Sequence, residues 1–245
     1  MMLKEETRRK LIANNQKITE LLQENEQLLK EAGYRPPKEN YAVDYGDRIH
    51  MPKGYVRTSR HFFKKYHLGN IVKEYNMRNN ISYNLQLSDY YNLLLNRFYI
   101  WGSVRTMLYK QDIINLVSIF EALITEATEN IFQCCEDCKR INKCKKRLNK
   151  HEQGSMKTSI PKLCEMGILD FNEKEVERIK EIYELRNRVH IRLTSKNEFL
   201  DNSFCQETHN ELIGLLIRAT ESLNVYAVPQ YGKCDTYEVK NSIGR

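Results

Sequence analysis

The sequence lacks several features that would assign its class at once. It contains no run of about 18 apolar residues, and its N-terminus is charged where a signal peptide is apolar. We therefore expect no membrane span and no secretion, but a cytoplasmic protein. The ten glycines are scattered, so the chain has neither a glycine-rich phosphate loop nor a nucleophile elbow. Its acidic residues sit mainly on helix faces predicted to be solvated, which argues against a two-carboxylate hydrolase.

Strong alternation of apolar and polar residues, the pattern of a β-strand, is also missing before the tyrosine-rich C-terminal tail, 225–245. Apolar residues instead recur at helical spacing, which predicts an all-α fold, a helical bundle over residues 85–224. We expect this domain to contain an antiparallel hairpin, with one helix capped by Ser88 and a second starting near Asp112. Helices from 156 to 166, from 172 to 193 and from Ser203 onward are expected to follow.

Three sets of apolar side chains are predicted to face the core of this domain. On the first hairpin helix they are Leu93, Leu94, Phe98, Trp101, Val104 and Leu108. On the second they are Ile113, Leu116, Val117, Phe120, Leu123, Ile124, Ala127 and Ile131. On the last helix they are Phe204, Leu212, Leu215, Leu216, Ala219 and Leu223.

The N-terminal region, 1–35, is predicted to be a polar helix from 3 to 31 that ends before Gly33. Apolar residues near heptad spacing predict a short coiled coil, and they are Leu11, Ile18, Leu21, Leu22, Leu28 and Leu29. Asparagines and acids interrupt this seam, so the helix needs a partner, from a second copy or from the body of the protein. Residues 36–84 are expected to form an extended connecting region with one helix candidate, from 59 to about 76.

Arg186, Asn187 and His190 form the candidate active site. At about 100° per residue, Arg186 and His190 project from an apolar stripe made of Ile179, Ile182, Val189 and Leu193. Residues four apart are neighbours on a helix, so the two side chains can reach one ligand. Because burying them without partners is costly, the alternative is a structural arginine held by an internal acid such as Glu121, with His190 as a core histidine.

The order of the helices and two phrases give the chain a family resemblance. Ile-Phe120-Glu-Ala-Leu-Ile on an early helix and Leu185-Arg-Asn-Arg-Val-His190 on a late one resemble HEPN domains over roughly 85–224. The resemblance implies a compact helical bundle, commonly dimeric, and for many members a metal-independent ribonuclease of toxin, abortive-infection or CRISPR-linked defence systems. The family's signature places an Arg, often followed by Asn, before a His. Here three residues separate Arg186 from His190, which is fewer than in the family pattern.

The resemblance also implies a mechanism that needs no metal cofactor. His190 would act on the 2′-hydroxyl of RNA or on the leaving 5′-oxygen, Arg186 would stabilise charge on the phosphorane, and Asn187 would orient the histidine or the phosphate. Two copies of the motif would face each other across a homodimer. The shorter spacing keeps a second interpretation open, a non-catalytic module that binds RNA or protein. A third is an antitoxin or regulatory subunit that docks on a larger effector.

A basic segment is the predicted RNA contact. The net charge of +7 is modest, but this segment combines cations with aromatic residues, as phosphate binding and base stacking require. The cations are Lys53, Arg57, Arg60, Lys64 and Lys65, and the interleaved rings are Tyr55, His61, Phe62 and Phe63. The alternative is an arm that packs its aromatic side chains on the domain and leaves its lysines in water.

Seven cysteines, an odd number, are read as free thiols or metal ligands rather than as a disulfide framework. The local cluster that predicts a structural zinc site consists of Cys134, Cys135, Cys138, Cys144 and His151. Its second half lacks a paired Cys-x-x-Cys, so free thiols at a helix end are the competing interpretation.

Overall fold

The computed structural model describes residues 4–33, 54–136, 155–189 and 203–225, with the backbone alone for 134–136 and 188–189. In these ranges the protein is all-α and contains no strand. The helices are α1 (Glu5–Glu31), α2 (Ser59–Lys65), α3 (Leu68–Ile71), α4 (Tyr75–Arg97), α5 (Gly102–Glu136), α6 (Met156–Glu165), α7 (Glu173–Leu185) and α8 (Gln206–Val225), with a 3₁₀ turn at Arg186–Val189. None of these helices is both long and apolar enough to cross a bilayer.

The chain divides into two units, Met1–Pro52 and Lys53–Arg245. In the first unit, α1 runs close to the predicted 3–31 and is closed by the amide of Ala32, which donates to the carbonyl of Leu28 at 3.0 Å. Gly33 then adopts φ +89°, a left-handed conformation that suits glycine at a helix end. No residue of α1 is buried.

In the second unit, α5 is the central helix, and α4, α6, α7 and α8 all pack on it. The α5 side chains predicted to face inward are all buried, as are those predicted for α8. Ser155 caps α6, and Asn172 and Glu175 form a capping box at the start of α7. The helical spacing therefore located this part of the core correctly.

The predicted boundaries of the hairpin were wrong. Ser88 is not a cap, because α4 begins earlier, where the Glu74 carboxylate accepts the amides of its first turn. Asp112 does not start a helix either, since it lies inside α5. The turn falls between Arg97 and Gly102, and the side chains of Phe98, Trp101 and Val104, expected in the core, are 51%, 73% and 61% exposed.

The helix predicted from 59 to about 76 is divided in the structure into α2 and α3, and α4 already begins at Tyr75. The short helices α2 and α3 meet at His67, which has φ +52° and reverses the chain. They contribute five buried side chains to the core, namely Phe62, Tyr66, Leu68, Ile71 and Val72. The predicted start at 59 is that of α2, but helices of four to seven residues are too short to display a helical repeat, so the sequence did not reveal the division.

Candidate active site

The helix that carries the candidate motif changes geometry at Arg186. The sequence predicted one α-helix from 172 to 193, but α7 ends at Leu185 and a 3₁₀ turn occupies Arg186–Val189. A 3₁₀ turn advances about 120° per residue, so the spacing of a regular α-helix does not hold across the motif. His190 and Leu193 lie outside the described residues, and their meeting with Arg186 stays a prediction.

Arg186 contacts Glu121, the acid that the sequence analysis named. The guanidinium Nη1 donates to Oε2 of Glu121 on α5, and the two side chains are 41% and 22% exposed. The hydroxyl of Tyr183 donates to the other carboxylate oxygen at 2.9 Å. Burial, reinforced by the neighbouring carboxylate, raises the pKa of Tyr183, so the phenol remains a donor. Glu121 therefore positions Arg186 at the surface, and the hydroxyl of Tyr183 holds the same carboxylate.

Asn187 points to a different acid. Its amide donates to Oε2 of Glu184 at 2.9 Å, and Lys157 of α6 forms an ion pair with the same carboxylate. The hydrogen bond from Lys157, aided by that from Asn187, holds the pKa of Glu184 below its usual range. The amide is thus ordered beside Arg186 without contacting it.

This geometry leaves the guanidinium with donors to spare. Arginine carries five N–H donors in a planar fork. Among the described residues, Arg186 is bonded through Nη1 to Glu121 and also interacts with the Tyr183 hydroxyl, while much of its side chain faces solvent. A phosphate could therefore meet the free edge of the fork while Glu121 keeps the other. Arg186 could therefore bind an anion such as a phosphate. Catalysis on that anion would also require a general base nearby.

The predicted RNA-contacting cations do not all remain available. Lys53 lies outside the described residues, and Arg57 forms an ion pair with Asp89 of α4, where the Arg57 amide also donates to Oδ2 at 2.7 Å. Arg60 and Lys64, one turn apart on α2, are exposed, and so is Lys65. These three cations form the exposed basic strip of α2.

Two of the four interleaved aromatic side chains are not free for stacking on bases. Phe62 is buried, and Phe63 is half-buried against the core. Tyr55 and His61 are exposed. The two phenylalanines therefore pack on the domain, as the alternative interpretation expected. The three cations of the basic strip remain exposed to water.

The hydrogen bonds that tie the α2 segment to the body and those of Arg186 lead to opposite sides of α5. The α2 segment is tied to α4 through Arg57 and Asp89, and α4 is tied to Asp112 of α5 by the hydroxyl of Ser88, which donates at 3.0 Å. Glu121 follows Asp112 by nine residues, which is about two and a half helical turns. Its side chain therefore leaves α5 on the side away from Asp112, the residue to which α4 is tied.

A buried polar cluster was missed by the sequence analysis. Nε2 of His209 on α8 lies 2.7 Å from Oδ2 of Asp112, the oxygen that also accepts the Ser88 hydroxyl, and Oδ1 is buried without a partner. The ring of Tyr109 lies against the imidazole, with 5.7 Å between centroids. Both donors converge on the carboxylate and neither side chain is open to water, so the cluster joins α4, α5 and α8 and is not a nucleophilic relay. An acid on the apolar stripe of α5 was its only sequence signal.

An open groove of about 470 Å³ lies between α7 and α8. Its two arginines already have acidic partners. Nε of Arg178 donates to Glu211 at 3.0 Å, and Arg218 pairs with Glu175. The groove is close to neutral, so we assign no anion site to it.

The proposed zinc ligands lie in or beside a part of the chain outside the described residues. Cys138, Cys144 and His151 lie outside the described residues, and only the backbone of Cys134 and Cys135 is described. Within the described ranges, no group of His, Cys, Asp and Glu side chains could hold a metal ion. The structural zinc site stays a prediction.

Comparison of the chain with protein-family models, curated protein sequences and solved structures gives no match. The likeness to HEPN domains consequently stays an inference from the sequence phrases and the helix order. The structure adds the position, partners and exposure of Arg186.

Proposed function

We propose that the chain is a HEPN-type, metal-independent endoribonuclease that acts as a homodimer in a toxin or anti-phage defence system. The observation that supports this proposal is the placement of Arg186, which Glu121 holds at the surface with part of its guanidinium free. A purely structural buried arginine would have its donors consumed inside the core.

In the proposed reaction, His190 accepts the proton of the RNA 2′-hydroxyl. The 2′-oxygen attacks the adjacent phosphorus, and the 5′-oxygen leaves and takes up a proton. The products are a 2′,3′-cyclic phosphate and a 5′-hydroxyl. The free edge of Arg186 stabilises the charge on the phosphorane oxygens, and Glu121 keeps the guanidinium in place. Asn187 would orient the histidine or the phosphate through its second N–H or its amide oxygen, since only one N–H donates to Glu184.

A second candidate function is a non-catalytic module that binds RNA or a partner protein, such as an antitoxin or a larger effector. The ion pairs of Arg186 and Arg57 favour it, because each partly neutralises a cation expected to face a phosphate. The exposed basic strip of α2 would then be the binding surface.

The decisive experiment compares four proteins on RNA and on single-stranded DNA of the same sequence, in excess chelator. They are the wild type, Arg186→Ala, His190→Ala and the control Arg178→Ala. Arg178 is the matched control because it also lies on the α7 segment, is part-exposed and is bonded to carboxylates.

We expect the wild type and Arg178→Ala to cleave RNA alone, leaving cyclic phosphate ends, and the other two variants to lose at least about a hundredfold in rate. Cleavage that needs a divalent metal, or that persists in Arg186→Ala, would contradict the proposal. Binding of RNA without cleavage by the wild type would favour the second candidate.

A further inference from the structure

The apolar face of α1 follows a heptad repeat in which two asparagines also occupy core positions. With Leu11 at position a, the other a residues are Ile18 and Asn25, and the d residues are Asn14, Leu21 and Leu28. The four apolar members of this seam are 37% to 59% exposed. Within the described part of the chain, nothing buries them.

The order of these residues distinguishes two ways in which α1 could pair with a second copy. In a parallel pair each layer holds two copies of the same residue, so the asparagines occupy two separate layers. In an antiparallel pair each a residue faces a d residue. Setting Leu11 against Leu28 of the second copy then places Ile18 against Leu21. The same register brings Asn25 against Asn14, so every layer is either wholly apolar or wholly polar.

The flanking charges favour the same register. The g positions, which line one edge of the seam, are Lys10, Lys17, Glu24 and Glu31. In the antiparallel register g residues face g residues, which sets Lys10 opposite Glu31 and Lys17 opposite Glu24. All four contacts across the dimer are then between opposite charges. In a parallel pair these residues would face e positions instead, where Asn15, Leu22 and Leu29 offer no charge.

The remaining edge raises no charge conflict in the antiparallel register. There Leu29 faces Arg8, whose aliphatic stem can cover it, and Leu22 faces Asn15. Within one chain, Lys10 is bonded to Glu6 at 2.6 Å, but their side chains are 73% and 79% exposed, so this local pair exchanges easily.

We propose that α1 forms an antiparallel, two-stranded coiled coil with α1 of a second copy of this chain, with Leu11 of one copy packed against Leu28 of the other. The seam spans about 26 Å at 1.5 Å per residue. Two subunits are thereby joined through their N-terminal helices. This pairing does not depend on the chemistry at Arg186.

Charge reversal along the g edge tests the register. The double variant K10E/K17E makes all four g residues acidic, and E24K/E31K makes all four basic. Each variant should self-associate poorly, whereas an equimolar mixture should restore every opposite-charge pair. Native mass spectrometry of the full-length proteins, mixed and left to exchange subunits at low salt, measures the fraction of mixed dimers.

The matched controls are R9E/K30E and E20K/E26K, which change net charge equally at positions facing away from the seam. We expect mixed dimers of the g variants to exceed the random proportion of one half, with a preference of at least about tenfold, and the controls to mix at random. Three results would each overturn the proposal. They are random mixing of the g variants, an equal preference in the controls, and the absence of wild-type dimers. The test also works if another surface helps to hold the dimer, because the fraction of mixed dimers is compared with the one half expected from random exchange.

Discussion

The buried pair of Asp112 and His209 gives a prediction whose size follows from the structure. Their side chains are 0% and 2% exposed, and the 2.7 Å contact between them is supported by the hydroxyl of Ser88. We consider Asp112→Val, His209→Leu and the double variant, because valine and leucine approximate the volumes that they replace. Each single change leaves a buried polar group without its partner.

The two single changes should be costly and the double change much less so. Leaving one buried polar group without its hydrogen-bond partner typically costs about 1 to 3 kcal/mol, whereas replacing both partners with apolar side chains of similar shape is often close to neutral. A protein of ordinary stability has about 5 to 15 kcal/mol in total, so either single variant should unfold far more easily. The contact between Tyr109 and the His209 ring is lost in His209→Leu and in the double variant alike, so it cancels in the comparison.

Urea unfolding followed by far-ultraviolet circular dichroism measures the three changes. The sum of the two single losses should exceed the double loss by about 0.5 to 3 kcal/mol, the range found for residues in direct contact. Strictly additive losses, or single losses below about 1 kcal/mol, would refute the assignment of this pair as a coupled element of the core.

Two further predictions concern the surface of the second unit. Burial opposes ionisation of Asp89, but the hydrogen bonds from Arg57 outweigh it and hold the pKa of Asp89 below its usual range. The pair therefore stabilises the fold fully above about pH 4, the ordinary value, and this stabilisation is lost as the pH falls through the lowered pKa. Urea midpoints of wild type and Asp89→Asn should differ at neutral pH and converge in acid, and a constant difference would contradict this. Trp101→Ala should change the unfolding free energy by less than about 0.5 kcal/mol, because Trp101 is 73% exposed; a large loss by the same assay would show that its ring is packed.

The sequence predicted the fold best where burial follows one unbroken helical repeat. In α5, the residues from Ile113 to Ile131 recur at a single period and are buried as expected. The same holds for α8, and the start of α7 coincides with Asn172, whose side chain caps its first turn. Local sequence is sufficient in these places because the core side of each helix is apolar along its length.

The hairpin shows where local signals were misleading. Ser88 and Asp112 are typical helix-start residues, but both are used across helices, as donor and acceptor of one buried hydrogen bond. This hydrogen bond depends on the packing of α4 against α5, which the sequence around either residue does not indicate. The same error placed Phe98 and Trp101 inside, since a helical repeat continued through the turn assigns them to the wrong side.

At the candidate site, the need of a cation for a counter-ion correctly suggested Glu121, far away in the sequence. The change from α-helix to 3₁₀ turn at Arg186 was not predicted, because it follows from a choice between carbonyl acceptors one residue apart. The direction of Asn187 toward Glu184 was equally hidden, since it depends on Lys157 from another helix.

The role of Glu121 in the proposed reaction follows from its two donors. When Arg186 turns part of its fork toward a phosphate, the carboxylate keeps the hydrogen bond from Tyr183 and is not left unsatisfied. Its negative charge also weakens the attraction between Arg186 and the phosphate of the ground state. The same charge opposes the negative charge that grows on the phosphorane, so Glu121 helps the reaction only by holding the guanidinium in place. Glu121 therefore acts as a positioning residue, and Glu121→Gln should tighten RNA binding while cleavage slows, a separation that a purely structural ion pair would not produce.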